Sequence, residues 1–100
     1  MIKDKNTIIN EIKNHIANGG GSYPAWYAGI ASNPKQRLFE DHKVNEKTDG
    51  WIHRESESSD IARSIEDYFV NTLGTDGGTG GGDDSTRFVY AYKKNTHTDP

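Results

Sequence analysis

The stretch WYAGIASNPKQRLFEDH, residues 26–42, sets a phenol at Tyr27, a guanidinium at Arg37 and an imidazole at His42 close along the chain. A phenol can give or take a proton, a guanidinium is a permanent cation with a planar fork of donors, and an imidazole titrates near neutral pH. Held together, such groups can grip an oxyanion and move a proton. The plain alternative is that they mark the seam between a strand and a helix. A carboxylate candidate lies further on, in IARSIEDYFV, where Glu66 and Asp67 stand side by side. On a helical wheel Glu66 borders the apolar arc of Ala62, Ile65, Tyr68 and Phe69, whereas Asp67 faces water.

The elements that would carry these groups follow from periodicity. Ile8, Ile9, Ile12 and Ile16 share one face of a helix over 7–18, with Asn6 as cap, GGG at 19–21 as stop, and His15 as a surface residue at its edge. YPAWYAGIA (23–31) is short, aromatic and flanked by glycines and SNP, which predicts a strand with Pro24 at its start or on an edge. Asn33, Pro34 and Gln36 form a helix start, and that helix is expected to run to His42 or Val44. GWIHRES (50–56) predicts a short strand, and SSDIARSIEDYFVNTLG a helix capped by Ser58 or Ser59. TDGGTGGGDD (75–84) reads as a flexible connector. RFVYAYKK (87–94) alternates Phe88, Tyr90 and Tyr92 with Val89, Ala91 and Lys93, a strand with one aromatic face. The expected class is α+β, a small, mostly antiparallel sheet flanked by about three helices.

Composition narrows the function. One hundred residues make one domain with one small core. The absence of cysteine excludes disulfides and thiolate metal sites. No run approaches the roughly 20 apolar residues of a membrane span, and no signal-peptide h-region opens the chain, so a cytoplasmic protein away from membranes is expected. The net charge of −3 falls mainly on the second half, so any hold on a phosphate backbone must be local. The glycine-rich connector is no phosphate cradle: no Lys-Ser/Thr follows it, and Asp76, Asp83 and Asp84 surround it with negative charge. EF-hand spacing is absent as well.

YAGIASNPKQRLFEDH resembles the second half of a GIY-YIG nuclease domain. Tyr27-Ala28-Gly29 matches the YIG element at a strand end, Ser32-Asn33-Pro34 the turn, Arg37 the helix arginine and His42 the later histidine. Ala62 and Glu66 match the Ala-x-x-x-Glu pattern that carries the family's metal-binding glutamate. The likeness covers roughly residues 26–73. It implies a GIY-YIG-like core over 22–94, preceded by a helix and glycine linker over 1–21 and followed by a tail, 95–100, that frays. The family's separate GIY strand has no counterpart before Tyr27, because Tyr23 is too near to lie on a hairpin partner. Either the C-terminal FVYAYK strand takes its place, with Tyr90 or Tyr92 standing in, or that tyrosine is gone.

The resemblance implies metal-dependent phosphodiester cleavage of nucleic acid, DNA rather than RNA. Glu66 would hold one Mg²⁺ or Mn²⁺ by a hard oxygen ligand. Arg37 would clamp nonbridging phosphate oxygens. Tyr27 would position or deprotonate the attacking water, a phenol needing a nearby cation for that at neutral pH. His42 would orient a phosphate or shuttle a proton. With no room for a second DNA-binding module, specificity would come from a protein partner or a dimer. Two other readings stay open. One is a catalytically silent relative that binds nucleic acid or protein. The other is a small α+β interaction protein whose Trp26, Tyr90 and Tyr92 line an interface.

Overall fold

The isoleucine stripe of Ile8, Ile12 and Ile16 is buried in the computed structural model, which describes residues 1–78 and 83–100. It lies on helix α1 (Lys5–Gly19). The cap is Asp4, whose carboxylate accepts the Thr7 N–H at 2.7 Å, and not Asn6. Aspartate caps as well as asparagine does, so the earlier residue takes the role and Asn6 enters the first turn. Gly20 ends the helix at φ 84°, a left-handed conformation costly for any residue with a Cβ. His15 is half-buried, contrary to the surface position expected, with its ring edge-on to Trp26 at 5.6 Å.

Three strands, β1 (Trp26–Ala31), β2 (Trp51–Glu55) and β3 (Phe88–Lys93), make one antiparallel sheet in the order β1-β3-β2. The first strand is shorter than its aromatic run suggests, because Tyr23–Ala25 closes into a single 3-10 turn around Pro24. The central strand alternates as its sequence does. Val89 and Ala91 point to one face, where they meet Ile8, Ile12, Ile65 and Phe69. Tyr90 and Tyr92 point to the other, against Leu38 and Val44. Each face of the sheet is thus covered by helix, and apolar burial on both faces holds the layers together at about 1.5–3 kcal/mol per large side chain.

The two later helices begin as predicted and then widen. Helix α2 starts at Pro34 with the Asn33 side chain accepting the Gln36 N–H at 3.2 Å. Ordinary turns span only Pro34–Gln36, and Arg37–Asp41 forms π turns, closed by the His42 N–H reaching the Arg37 carbonyl at 2.9 Å. Helix α3 (Ser59–Asp67) is capped by Ser58 and widens in the same way over Tyr68–Leu73. Such widened turns often accompany functional sites. Among the described residues, no helix is long and apolar enough to cross a membrane.

Residues 95–100, expected to fray, instead pack back on the domain. Asn95 donates to Asp49 Oδ1 at 2.8 Å, His97 pairs with Asp49, and the Asp99 N–H donates to the His42 carbonyl at 2.8 Å. Partners 46 to 57 positions away in sequence provide the bonds that hold the tail. The connector expected at 75–84 falls in part, at 79–82, outside the described residues. Before it, residue 76 runs parallel to Tyr27 and caps the outer edge of β1.

Candidate functional site

Tyr27, Arg37, Glu66 and Tyr90 line one cavity of about 210 Å³, together with Gly29 and Thr86. Four elements deliver these groups. Strand β1 brings Tyr27 and Gly29, the widening turn of α2 brings Arg37, α3 brings Glu66, and β3 brings Tyr90. The space matches a phosphate group with several waters, each occupying about 30 Å³ in the liquid.

Gly29 makes the arrangement possible. It is the Cα partner of Tyr90 across the β1–β3 ladder. A Cβ at position 29 would stand 2.6 Å from the Tyr90 hydroxyl oxygen and 2.7 Å from its Cζ. Tyr90 therefore lies across the glycine and reaches the open edge of the sheet. A Gly29→Ala variant is expected to lose about 1–3 kcal/mol of stability through overpacking. Urea denaturation measures it, and a midpoint equal to that of the parent would mean the ring is not seated there.

Along the outer edge of β1, the Asp76 N–H donates to the Trp26 carbonyl at 2.8 Å, and the Asp76 carbonyl accepts the Ala28 N–H at 2.9 Å. Main-chain groups alternate sides along a strand, so those of Ile30 face the same edge, where the cavity opens.

Glu66 is 3% exposed, and its Oε1 has no hydrogen-bond partner among the described residues. Burial raises its pKa from 4.5 to about 7, the neighbouring Asp67 adds to the rise, and Arg63 opposes it. The helical wheel separates Glu66 from Asp67 correctly, but places it at the boundary, whereas the fold buries it. Glu66 lines the cavity as a carboxylate, a hard oxygen donor of the kind that holds a divalent cation. No group of three or more His, Cys, Asp or Glu that could hold a metal occurs among the described residues. A cation held at Glu66 would take its other ligands from water and substrate oxygens, as Mg²⁺ commonly does.

Arg37 is half-exposed and pairs with Asp41 at 3.4 Å one turn on. A pair this open contributes only about 0.3–0.5 kcal/mol, so the guanidinium can change partner at little cost. The phenols are held in their neutral form. Burial raises Tyr27, with Asp76 and Glu66 adding and Arg37 opposing. Burial pushes Tyr90 up strongly, again against Arg37.

His42 does not line the cavity. It is 5% exposed and stands behind Tyr90, with Nε2 at 2.7 Å from the Tyr90 hydroxyl. That position removes the phosphate-orienting role and leaves the proton-shuttling one. Its ring packs against Tyr27 at 4.6 Å between centroids, and burial lowers its basicity so that it rests neutral. Of the two tyrosines on the aromatic strand, Tyr90 reaches the cavity, whereas Tyr92 is fully buried beside His42.

Three contributors escape a reading of the sequence. Gly29 is visible as part of a motif, but its steric role depends on ladder register. Thr86 lines the cavity from the approach to β3, in a stretch that resembles the end of a connector. The Asp99 main chain touches His42 from a tail whose composition signals mobility. No family model matches this chain, and no curated protein or solved structure matches it.

Proposed function

We propose that this protein is a divalent-cation-dependent nuclease of GIY-YIG type, acting in the cytoplasm on DNA in preference to RNA, with a protein partner or second copy supplying specificity. One observation carries the reading: side chains as far apart in sequence as Tyr27 and Tyr90 share a cavity with Arg37 and the buried carboxylate of Glu66, whose Oε1 has no partner among the described residues. In this reading β3 is the counterpart of the family's first strand, delivered from the other end of the chain. Its antiparallel pairing beside β1 supports that correspondence.

Each group has a task. Arg37 binds two nonbridging oxygens of the scissile phosphate with its planar fork. Glu66 would hold Mg²⁺ or Mn²⁺, which when bound would supply positive charge against the developing negative charge and the leaving oxygen. Tyr27 positions the attacking water. The water gives its proton to the Tyr90 oxygen as the Tyr90 hydroxyl proton passes to His42 Nε2, so that hydroxide meets phosphorus and imidazolium is left behind. The leaving oxygen takes its proton from solvent water, and His42 later gives its own back through Tyr90 to solvent in the cavity, so that one proton is taken up and one released.

The test is incubation with plasmid and with RNA in Mg²⁺, in Mn²⁺ and with chelator. Cation-dependent cleavage is expected, and Tyr27→Phe is expected to slow it about 10- to 100-fold, the lower range for loss of a group that orients a proton transfer. Cleavage that persists in chelator would overturn the assignment. Saturable, salt-sensitive binding without cleavage would instead mark a silent binding module.

A further inference from the structure

We infer that residues 95–99 are a working part of this site: they hold His42 in the one tautomer whose Nε2 can take the Tyr90 proton. The inference rests on the nuclease reading for its consequence, and on hydrogen-bond chemistry for its cause.

Two groups meet His42 Nδ1. The Asp99 carbonyl lies 2.7 Å away, and the Tyr92 hydroxyl 3.2 Å away. A carbonyl oxygen only accepts, so its bond requires the hydrogen to sit on Nδ1. The neutral ring then bears a lone pair on Nε2, aimed at the Tyr90 hydroxyl at 2.7 Å. Tyr90 must donate to it, so the lone pairs of the phenol face Arg37 and the cavity. A hydroxyl, unlike a carbonyl, can donate. Were the Asp99 carbonyl withdrawn, Tyr92 could give its hydrogen to Nδ1, and the ring hydrogen would move to Nε2. The imidazole would then donate to Tyr90, and the exit for a proton would be shut. The carbonyl decides between these states.

The carbonyl is in turn held from two sides. The Asp99 N–H donates to the His42 carbonyl at 2.8 Å, so residues 42 and 99 clasp each other through main chain and ring together. Asp49 anchors the other end through Asn95 and His97, and is itself fixed by the Asn45 N–H at 2.7 Å. The strap thus runs from the loop before β2 to the back of the catalytic cavity. Asp99 is a positioning residue, and it acts through main-chain atoms alone.

That last point gives the experiment its controls. Asp99→Asn keeps both main-chain contacts, whereas Asp99→Pro lacks the anchoring N–H, and Asp49→Ala releases the far end. Nitrogen-15 correlation spectra of the imidazole in the full chain report the tautomer directly. The parent and Asp99→Asn are expected to show hydrogen on Nδ1. Asp99→Pro and Asp49→Ala are expected to shift the ring toward the Nε2–H form, and to lower cleavage at least about tenfold. Hydrogen on Nε2 in the parent would overturn the proposal at once, as would an unchanged tautomer or unchanged cleavage in the two release variants. If Asp99→Pro fails to fold, Asp49→Ala alone decides the matter by the same two readouts. A parent that shows the expected tautomer and its loss on release, yet cuts nothing, upholds the clamp and rejects the nuclease.

Discussion

Replacing Glu66 by glutamine is expected to abolish cation-dependent cleavage, by at least about a hundredfold, while making the protein more stable at alkaline pH. Both effects have one source. The carboxylate is buried at the cavity with an oxygen that has no partner among the described residues, and its folded-state pKa rises from 4.5 to about 7. A carboxyl group raised in this direction contributes its full stability below the unfolded value near 4.5, and that stability is lost as pH climbs through about 7. The interval corresponds to about 3 kcal/mol. The parent should therefore weaken between pH 4.5 and 8 by about 3 kcal/mol more than Glu66→Gln does, which has no proton to lose there. His42 and the other shifted histidines titrate in both proteins, so the difference isolates Glu66. Thermal melts across pH measure it. Added Mg²⁺ or Mn²⁺ at pH 8 should restore the parent's melting temperature and leave that of Glu66→Gln unmoved. Parallel pH profiles for the two proteins would remove the buried, cation-seeking carboxylate, and the nuclease with it.

Arg37→Ala is expected to separate function from stability in the opposite sense. The guanidinium is about half-exposed, and its pairing with Asp41 is an open surface contact. Its loss should cost less than about 0.5 kcal/mol of folding free energy. Cleavage should nevertheless fall by about 10²–10³, the usual effect of deleting one preorganised group that stabilises transition-state charge. Arg37→Lys keeps the charge but not the planar two-point grip, and is expected to recover only part of the loss. Equal cleavage rates for Arg37→Ala and the parent, measured at saturating cation, would remove the arginine from the site.

The legible parts of this chain are those written in local periodicity. The isoleucine stripe of α1, the alternation of Val89 and Ala91 against Tyr90 and Tyr92, and the separation of Glu66 from Asp67 each follow from how side chains point on a single element. Asn33 and Ser58 cap their helices as their spacing predicts. What stays hidden is set by contacts between distant residues. Whether Tyr90 or Tyr92 reaches the cavity depends on the ladder register that sets Tyr90 opposite Gly29. The π turns after Gln36 and Asp67 leave no mark in residue type, since every side chain involved would also suit an ordinary helix. The tail's polar residues lack periodicity and so suggest mobility, and its order comes from Asp49 and His42.

The strand order bears on how the molecule comes into being. Among the three strands, β1 and β2 each pair only with β3, and β3 is the last to be synthesised. Until residue 93 clears the ribosome, the two earlier strands lack their shared central partner, and Tyr27 waits without Tyr90. Assembly must close long loops in a late, cooperative step, which slows it. The same delay leaves the cavity of Tyr27, Arg37, Glu66 and Tyr90 without one wall on the nascent chain.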